Sequence, residues 1–266
     1  MKTSKYKNSL LYKITGNGLK KPSYLLGTMH AICGKDFHLQ EKVLKALGKC
    51  SIYYMEVDLG STSQIQLMEQ QVSVTTDIWE ELSISEKEEL DHILKNKFNL
   101  SLEEANQQPP VTLINRMTFE AFDCDDIKMM EMELLKIAQE KGLQSAGLET
   151  ALQQLHIAEE VFTGKEILRQ LKSTNTYKGL FNKIMKAYHS ENLQQLSLLV
   201  TDTQFMSERA YKIIVIKRNR RWAKIIPSLI ASQSAFLAVG AGHLPGEKGL
   251  LQLLNEKGYN VNPVYR

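Results

Sequence analysis

Tyr24-Leu25-Leu26-Gly27-Thr28-Met29-His30 and Ala235-Phe236-Leu237-Ala238-Val239-Gly240-Ala241-Gly242-His243 stand near opposite ends of the chain and share one form. Each is an apolar run that ends in Gly-x-x-His. A short, continuous apolar run bounded by glycine reads as a buried strand. A parallel sheet brings two such strand ends together however far apart they lie in sequence. In open α/β sheets, ligands bind at the carboxyl ends of the strands. Two imidazoles delivered there point to a metal or acid–base site.

The flanking sequence extends this pattern. Residues 9–15 and 23–27 read as a hairpin closed by the turn signal Gly16-Asn17-Gly18. Residues 40–48 have helical spacing with Gly48 as the stop, and residues 52–57 form another apolar strand. A strand–helix–strand unit argues for a parallel core sheet. Residues 60–200 then change character. Helical spacing recurs at 65–72, 86–97, 121–141, 152–171 and 180–189, with Pro109-Pro110 read as a loop. One strand interrupts at 144–150, where Thr150 is placed to cap the next helix. The last third returns to α/β. It has a helix over 202–221, a second continuing past Pro227 to 232, a strand at 235–239, a helix at 246–257 and a final strand at 259–264. The expectation is an α/β protein, with α+β as the alternative. It has a central mixed sheet flanked by helices and forms one domain over 1–266, in which 60–200 is a mostly helical insertion or lid.

Composition narrows the function classes. Hydrophobic residues make up 43% and charged residues 24%, ordinary values for a globular chain. A net charge of +3 argues against a nucleic-acid or anionic-membrane partner. No apolar run approaches the roughly 18–20 residues of a membrane span. Lys2, Lys5 and Lys7 are not followed by the apolar stretch of a secretory signal. The expected location is therefore exported or periplasmic if a leader has been removed, and cytoplasmic otherwise. Cys33, Cys50 and Cys124 lack CxxC spacing and leave one over in any pairing, so a disulfide-independent fold with buried cysteines is expected.

Several residues carry chemistry. The glycine three positions before His30 and before His243 lets a ligand or the backbone come close where the strand ends. Glu56 and Asp58 alternate with Val57 at the end of their strand and so share a face. Glu56 interrupts an apolar run. A carboxylate beside two imidazoles is a sound ligand set for a divalent cation. Glu149, in Gly147-Leu148-Glu149-Thr150, sits at a strand-to-helix junction. It serves there as a stabilised helix-terminal charge, a further ligand, or the base that activates water. In Lys217-Arg218-Asn219-Arg220-Arg221-Trp222 the charges read as the wet face of a helix. Its buried stripe is Ile213, Ile214, Ile216, Trp222 and Ile225. One arginine turned inward, Arg218 or Arg221, would hold a carboxylate or an oxyanion. His92 and His156 read as solvent-exposed, and His38 and His189 lack partner spacing. No His-Glu-x-x-His, Gly-x-Ser-x-Gly, phosphate-loop or dinucleotide motif occurs.

These residues together resemble the TraB/GumN family. The resemblance rests on five ordered blocks: residues 9–30, Tyr54-Met55-Glu56-Val57-Asp58, Gly147-Leu148-Glu149-Thr150, Arg218-Asn219 with Trp222, and residues 239–264. It implies a fold related to the erythromycin-esterase and ChaN-like group. It extends to the Tiki proteases, which use manganese or cobalt to cleave Wnt amino termini. By that similarity His30, Glu56 and His243 are metal ligands or catalytic residues, and Arg218 is an active-site arginine. Glu149 is a weaker catalytic position. The wider family includes membrane proteins, from which this chain departs by lacking a transmembrane segment. The implied activity is that of a metal-dependent hydrolase, a peptidase acting on a peptide or protein. Its cofactor would be a divalent ion, manganese or cobalt ahead of zinc. The alternative is a non-catalytic protein of the ChaN-like type. It would bind haem, another small ligand or a peptide, with a histidine or Tyr24 near the ligand.

Overall fold

A computed structural model describes residues 7–70, 77–204 and 206–265. Strands β1 (Leu11–Gly16) and β2 (Ser23–Thr28) form the expected hairpin. They are followed by β3 (Ala31–Cys33), helix α1 (Glu41–Leu47) and β4 (Ile52–Met55). Helices α2 (Thr62–Gln70), α3 (Ile84–Phe98), α4 (Leu102–Asn106) and α5 (Pro110–Glu120) come next. Then follow β5 (Ile127–Met129), α6 (Met130–Glu140), β6 (Gln144–Gly147), α7 (Ala151–Val161), α8 (Gly164–Lys172), α9 (Thr174–His189) and α10 (Leu193–Val200). Helix α11 (Glu208–Tyr211) runs through a π-helical turn (Lys212–Lys217) into α12 (Arg218–Ala231). The chain closes with β7 (Ala235–Gly240), α13 (Leu250–Glu256) and β8 (Tyr259–Pro263).

The central sheet is mixed, in the order β6-β4-β7-β2-β1-β8. Strands β6, β4, β7 and β2 are mutually parallel, and β1 runs antiparallel to both its neighbours. Every residue of β2, β4 and β7 is buried, because helices cover both faces. Period-two alternation divides these strands between two cores. Tyr24, Leu26, Tyr53, Met55, Phe236 and Ala238 pack towards α1, α6, α9 and α10. Leu25, Ile52, Tyr54, Leu237 and Val239 pack towards Trp222, Ile226 and Ile230 of α12 and the leucines of α13. A third cluster, around Trp79, Leu90, Leu94, Leu113 and Ile167, joins α3, α4, α5 and α8.

The middle of the chain is cut more finely than its periodicity indicates. Residues 121–141 are not one helix, because residues 127–129 pair with β3 in a separate two-stranded antiparallel ladder. The predicted helix at 152–171 breaks at Thr163, whose side chain caps α8 by accepting from Glu166 N. Pro109-Pro110 opens α5 rather than forming a loop. Proline at the first helical position gives up an N–H that has no partner there anyway. The helix expected from 202 starts at Glu208 and continues unbroken past Pro227. Lys2, Lys5, Gln71 and Val72, part of the predicted elements or signals, lie outside the described residues.

The cysteines overturn the expectation of a disulfide-independent fold. Cys33 and Cys124 are joined, with Cα atoms 6.0 Å apart, and Cys50 is free and buried. The β3–β5 ladder is the reason. It pairs Cys33 with Ile127 and thereby brings Cys124, a few residues upstream, within reach. Among the described residues, no helix is long and apolar enough to cross a membrane.

Candidate active site

Each of the four parallel strands delivers one polar side chain just past its carboxyl end. β2 is followed by His30, β4 by Glu56, β6 by Glu149 and β7 by His243. Register sets their closeness. Thr28 lies opposite Gly240, so the two Gly-x-x-His motifs leave the sheet side by side. Backbone pairing continues past β4 and β6, with Glu149 N donating to Glu56 O at 2.9 Å, so these two carboxylates also emerge as neighbours. The glycines are needed for packing. A Cβ at Gly27 would lie 2.7 Å from Leu244 Cδ1, and one at Gly240 would lie 2.9 Å from His30 Nε2.

Arg218 completes the cluster from the first turn of α12. The π-helical turn before it shifts the helical phase, a geometry common at functional sites. The buried face therefore runs through Ile213, Val215, Arg218, Asn219, Trp222 and Ile226, while Lys217 and Arg220 face solvent. Ile214, Ile216 and Ile225, assigned to the buried stripe from sequence, are only half-buried. Arg218 Nε donates to Glu149 Oε1 at 2.9 Å. Its Nη2 bonds both Glu56 Oε2 and Glu149 Oε1. The guanidinium also lies over the Trp222 ring, 4.5 Å from its centroid. Arg221, the other arginine the sequence leaves open, sits at the margin and bonds the far oxygen of Glu149. Glu149 therefore has both oxygens taken and no exposed side-chain surface.

Each imidazole is held by a partner through Nδ1. His30 Nδ1 lies 2.7 Å from Glu131 Oε1, which also accepts from Thr28 Oγ1 at 2.6 Å. His243 Nδ1 lies 2.7 Å from Asn219 Oδ1. Asn219 is fully buried and its Nδ2 donates to the carbonyls of His243 and Lys248, which fixes the amide orientation. Asn219 Oδ1 places the His243 proton on Nδ1, so its Nε2 accepts from Arg218 Nη1, while His30 shares the proton on Nδ1 with Glu131 and turns Nε2 towards Glu56. His30 Nε2 is 3.6 Å and His243 Nε2 3.8 Å from Glu56 Oε1, which also accepts from Gly240 N at 2.8 Å. Arg218 Nη1 approaches His243 Nε2 at 3.3 Å.

The electrostatics separate the two histidines. Burial pushes His243 down to about 3, with Arg218 and His30 adding repulsion that the attraction of Glu56 does not offset. His30 is pushed up to about 9, first by the Glu131 charge and then, against some burial, by Glu56. Its side chain is 54% exposed, so solvent screens those attractions. Burial raises the Glu56 carboxyl, but Arg218, His30, His243 and the Gly240 N–H outweigh it and hold the group well below the usual carboxylate range.

Sequence reasoning missed Glu131 and Asn219, the two residues that orient the histidines. The signal for Glu131 is its place on the apolar stripe of α6 with Leu134, Leu135 and Ala138, where a carboxylate needs a partner. Asp58 turns away, accepting from Gly60 N and Ser145 Oγ. A cleft of about 380 Å³ opens over His30, Glu56, Glu131 and Arg218. A larger cavity, about 700 Å³, lies elsewhere, between α1, β2 and the end of α9. It is lined by Tyr24, His38 and His189 and holds none of the clustered residues.

The donor types suit a divalent cation: two imidazole Nε2 atoms and one carboxylate oxygen, each with an outer partner. Among the described residues, no group of three or more His, Cys, Asp or Glu side chains is arranged to hold a metal ion, so binding one requires these side chains to move.

Two histidines, two carboxylates and a helix-borne arginine thus meet at one edge of the sheet of this mixed α/β protein, all buried except His30. The chain belongs to the TraB/PrgY/gumN family, whose model matches residues 10–263. A 64-residue stretch is 41% identical to a protein described as a metalloprotease TIKI homolog from Amphimedon queenslandica, over 23% of this chain and 12% of that protein. No solved structure matches the chain.

Proposed function

We propose that this protein is a divalent-metal-dependent hydrolase that cleaves peptides, with His30, His243 and Glu56 as the ligands. The observation that carries the reading is the approach of two imidazole Nε2 atoms to one Glu56 oxygen, each ring held through Nδ1 by an outer partner. Membership of the family and the partial likeness to a protein described as a metalloprotease support it. Manganese or cobalt is preferred over zinc. When bound, such an ion supplies a Lewis acid for the scissile carbonyl and makes water acidic enough to attack. Glu131 and Asn219 keep both imidazoles in the ligating tautomer. Arg218 yields His243 Nε2 but keeps Glu56 and Glu149, and its charge is aimed at the oxyanion that forms on the carbonyl. Glu149 acts here as the anchor of Arg218 rather than as a proton acceptor, since no water reaches its side chain. Residues 60–200 belong to the same single domain: β6 and α6 complete the sheet and its core, while Met68 of α2, Val111 of α5 and Gln154 and Ile157 of α7 wall the cleft above this edge.

The test is a calorimetric titration of manganese, cobalt and zinc into the metal-free protein, beside His30→Ala and His243→Ala. One equivalent bound by the wild type and lost in both variants, with metal-dependent cleavage of a peptide library, is the expected result. A folded wild type that binds none of the three ions refutes the mechanism.

The 700 Å³ cavity favours a second reading, a small-ligand binding protein in which Tyr24 faces haem or a molecule of similar size. Hemin titration followed by absorbance separates the two. A saturable Soret shift lost in Tyr24→Phe supports it, and an unshifted spectrum removes it.

A further inference from the structure

The cleft over His30 and Arg218 has a charged floor and apolar walls. Its only ionisable lining residues, among those described, are His30, Glu56, Glu131 and Arg218, and these are paired with one another. The walls are built from different elements: Met55 at the end of β4, Met68 on α2, Met129 on β5, Ile157 and Phe162 around α7, and Ile214 in the π-helical turn. Folding does not account for two of these. Met68 is 39% and Met129 41% exposed, and both face the cleft mouth. Exposed apolar surface at the edge of a polar site marks a surface that binds something. A volume of about 380 Å³ is at the lower end for ligand clefts and admits a short extended stretch of chain.

We propose that this cleft selects peptides by bulky apolar side chains beside the scissile bond, with Met68, Met129 and Ile157 as the specificity-determining wall. The proposal rests on the hydrolase reading above and names its substrate class. A charged side chain entering here leaves water and finds the floor charges already paired, which penalises it. Methionine is unbranched and adaptable, so the wall accepts leucine, methionine and phenylalanine alike rather than one shape. The polar floor then contacts only the peptide backbone, the part common to every substrate.

The experiment uses the full chain loaded with manganese. A positional-scanning peptide library is read by mass spectrometry, and binding of capped tripeptides, apolar or charged, is measured in parallel. Met68→Lys and Met129→Lys change exposed side chains and are checked for unaltered urea midpoint and metal content. Apolar peptides should be cleaved at least about 10-fold faster in kcat/KM than their Asp or Lys counterparts. Each lysine variant should lose about 10-fold on apolar peptides, mainly through KM. Cleavage that is indifferent to side chain, or better with charged ones, overturns the proposal and leaves the hydrolase standing. No cleavage, with apolar tripeptides still bound and released by the lysine variants, overturns the hydrolase reading and upholds apolar recognition. No cleavage and no apolar preference in binding overturns both.

Discussion

Gly240→Ala tests the site with the smallest change available. The glycine has φ −50° and ψ 134°, a conformation open to any residue, so alanine adds no backbone strain. Its Cβ would stand 2.9 Å from His30 Nε2, 3.5 Å from Glu56 Oε1 and 3.6 Å from His243 Cδ2, in the middle of the proposed ligand set. Relief to an ordinary contact moves His30 Nε2 by about 0.5 Å, beyond the roughly 0.2 Å tolerance of a metal–ligand bond. His30 is half exposed, so its ring can tilt outward at the expense of its bond to Glu131, and the fold absorbs the change. Alanine also restricts the unfolded chain, worth about 0.4–1 kcal/mol in the opposite direction. Net stability should therefore stay within about 1 kcal/mol, while metal affinity drops at least 10- to 100-fold, no less than an outer-sphere loss. Urea unfolding and manganese calorimetry on the same preparation give both numbers. Wild-type affinity in a normally folded Gly240→Ala variant would refute the assignment of these three groups to one ion.

Three further outcomes follow from the geometry. His30 must lose its proton to act as a ligand, and its pKa is raised to about 9. Manganese affinity should thus climb about tenfold per pH unit from 7 and level off near 9, with one proton released per ion; a flat profile between pH 7 and 9 sinks the assignment. The stability linkage of the same group has the opposite sign: its contribution is full below 6.5 and is lost as pH rises through about 9. Asn219→Ala strips the His243 and Lys248 carbonyls of their donor and frees the His243 tautomer. It should cost about 1–3 kcal/mol in urea unfolding and weaken metal binding about 10- to 100-fold; unchanged metal affinity would show that the ring needs no such partner. Reducing Cys33–Cys124, which spans 91 residues, should lower unfolding free energy by about 2–4 kcal/mol. An unchanged urea midpoint after verified reduction would mean the bridge stabilises nothing.

Much of the site could be read from sequence because its residues follow strands with strong local signatures. His30, Glu56, Glu149 and His243 each end an apolar run or a strand-to-helix junction, and the strand assignment fixes where such a residue emerges. Arg218 and Arg221 could not be separated, because the choice depends on the π-helical turn at Lys212–Lys217, which rephases the helix by an amount that side-chain pattern does not encode. Glu131 was missed because its partner, His30, is 101 positions away and belongs to an unrelated local pattern. The residues between 121 and 141 read as one helix because their apolar spacing is helical. The β3–β5 ladder overrides that propensity for three residues, and the same ladder makes the disulfide.

The sequence by itself determined the α/β class, the buried strands and which polar groups stand at their ends, since apolar periodicity and glycine placement are properties of neighbouring residues. Only the tertiary structure decided strand order, the pairing of Thr28 with Gly240 that sets the two histidines side by side, and the inward turn of Arg218. Those depend on contacts between segments far apart in the chain, where hydrogen-bond register and burial of charge, rather than local preference, select the arrangement.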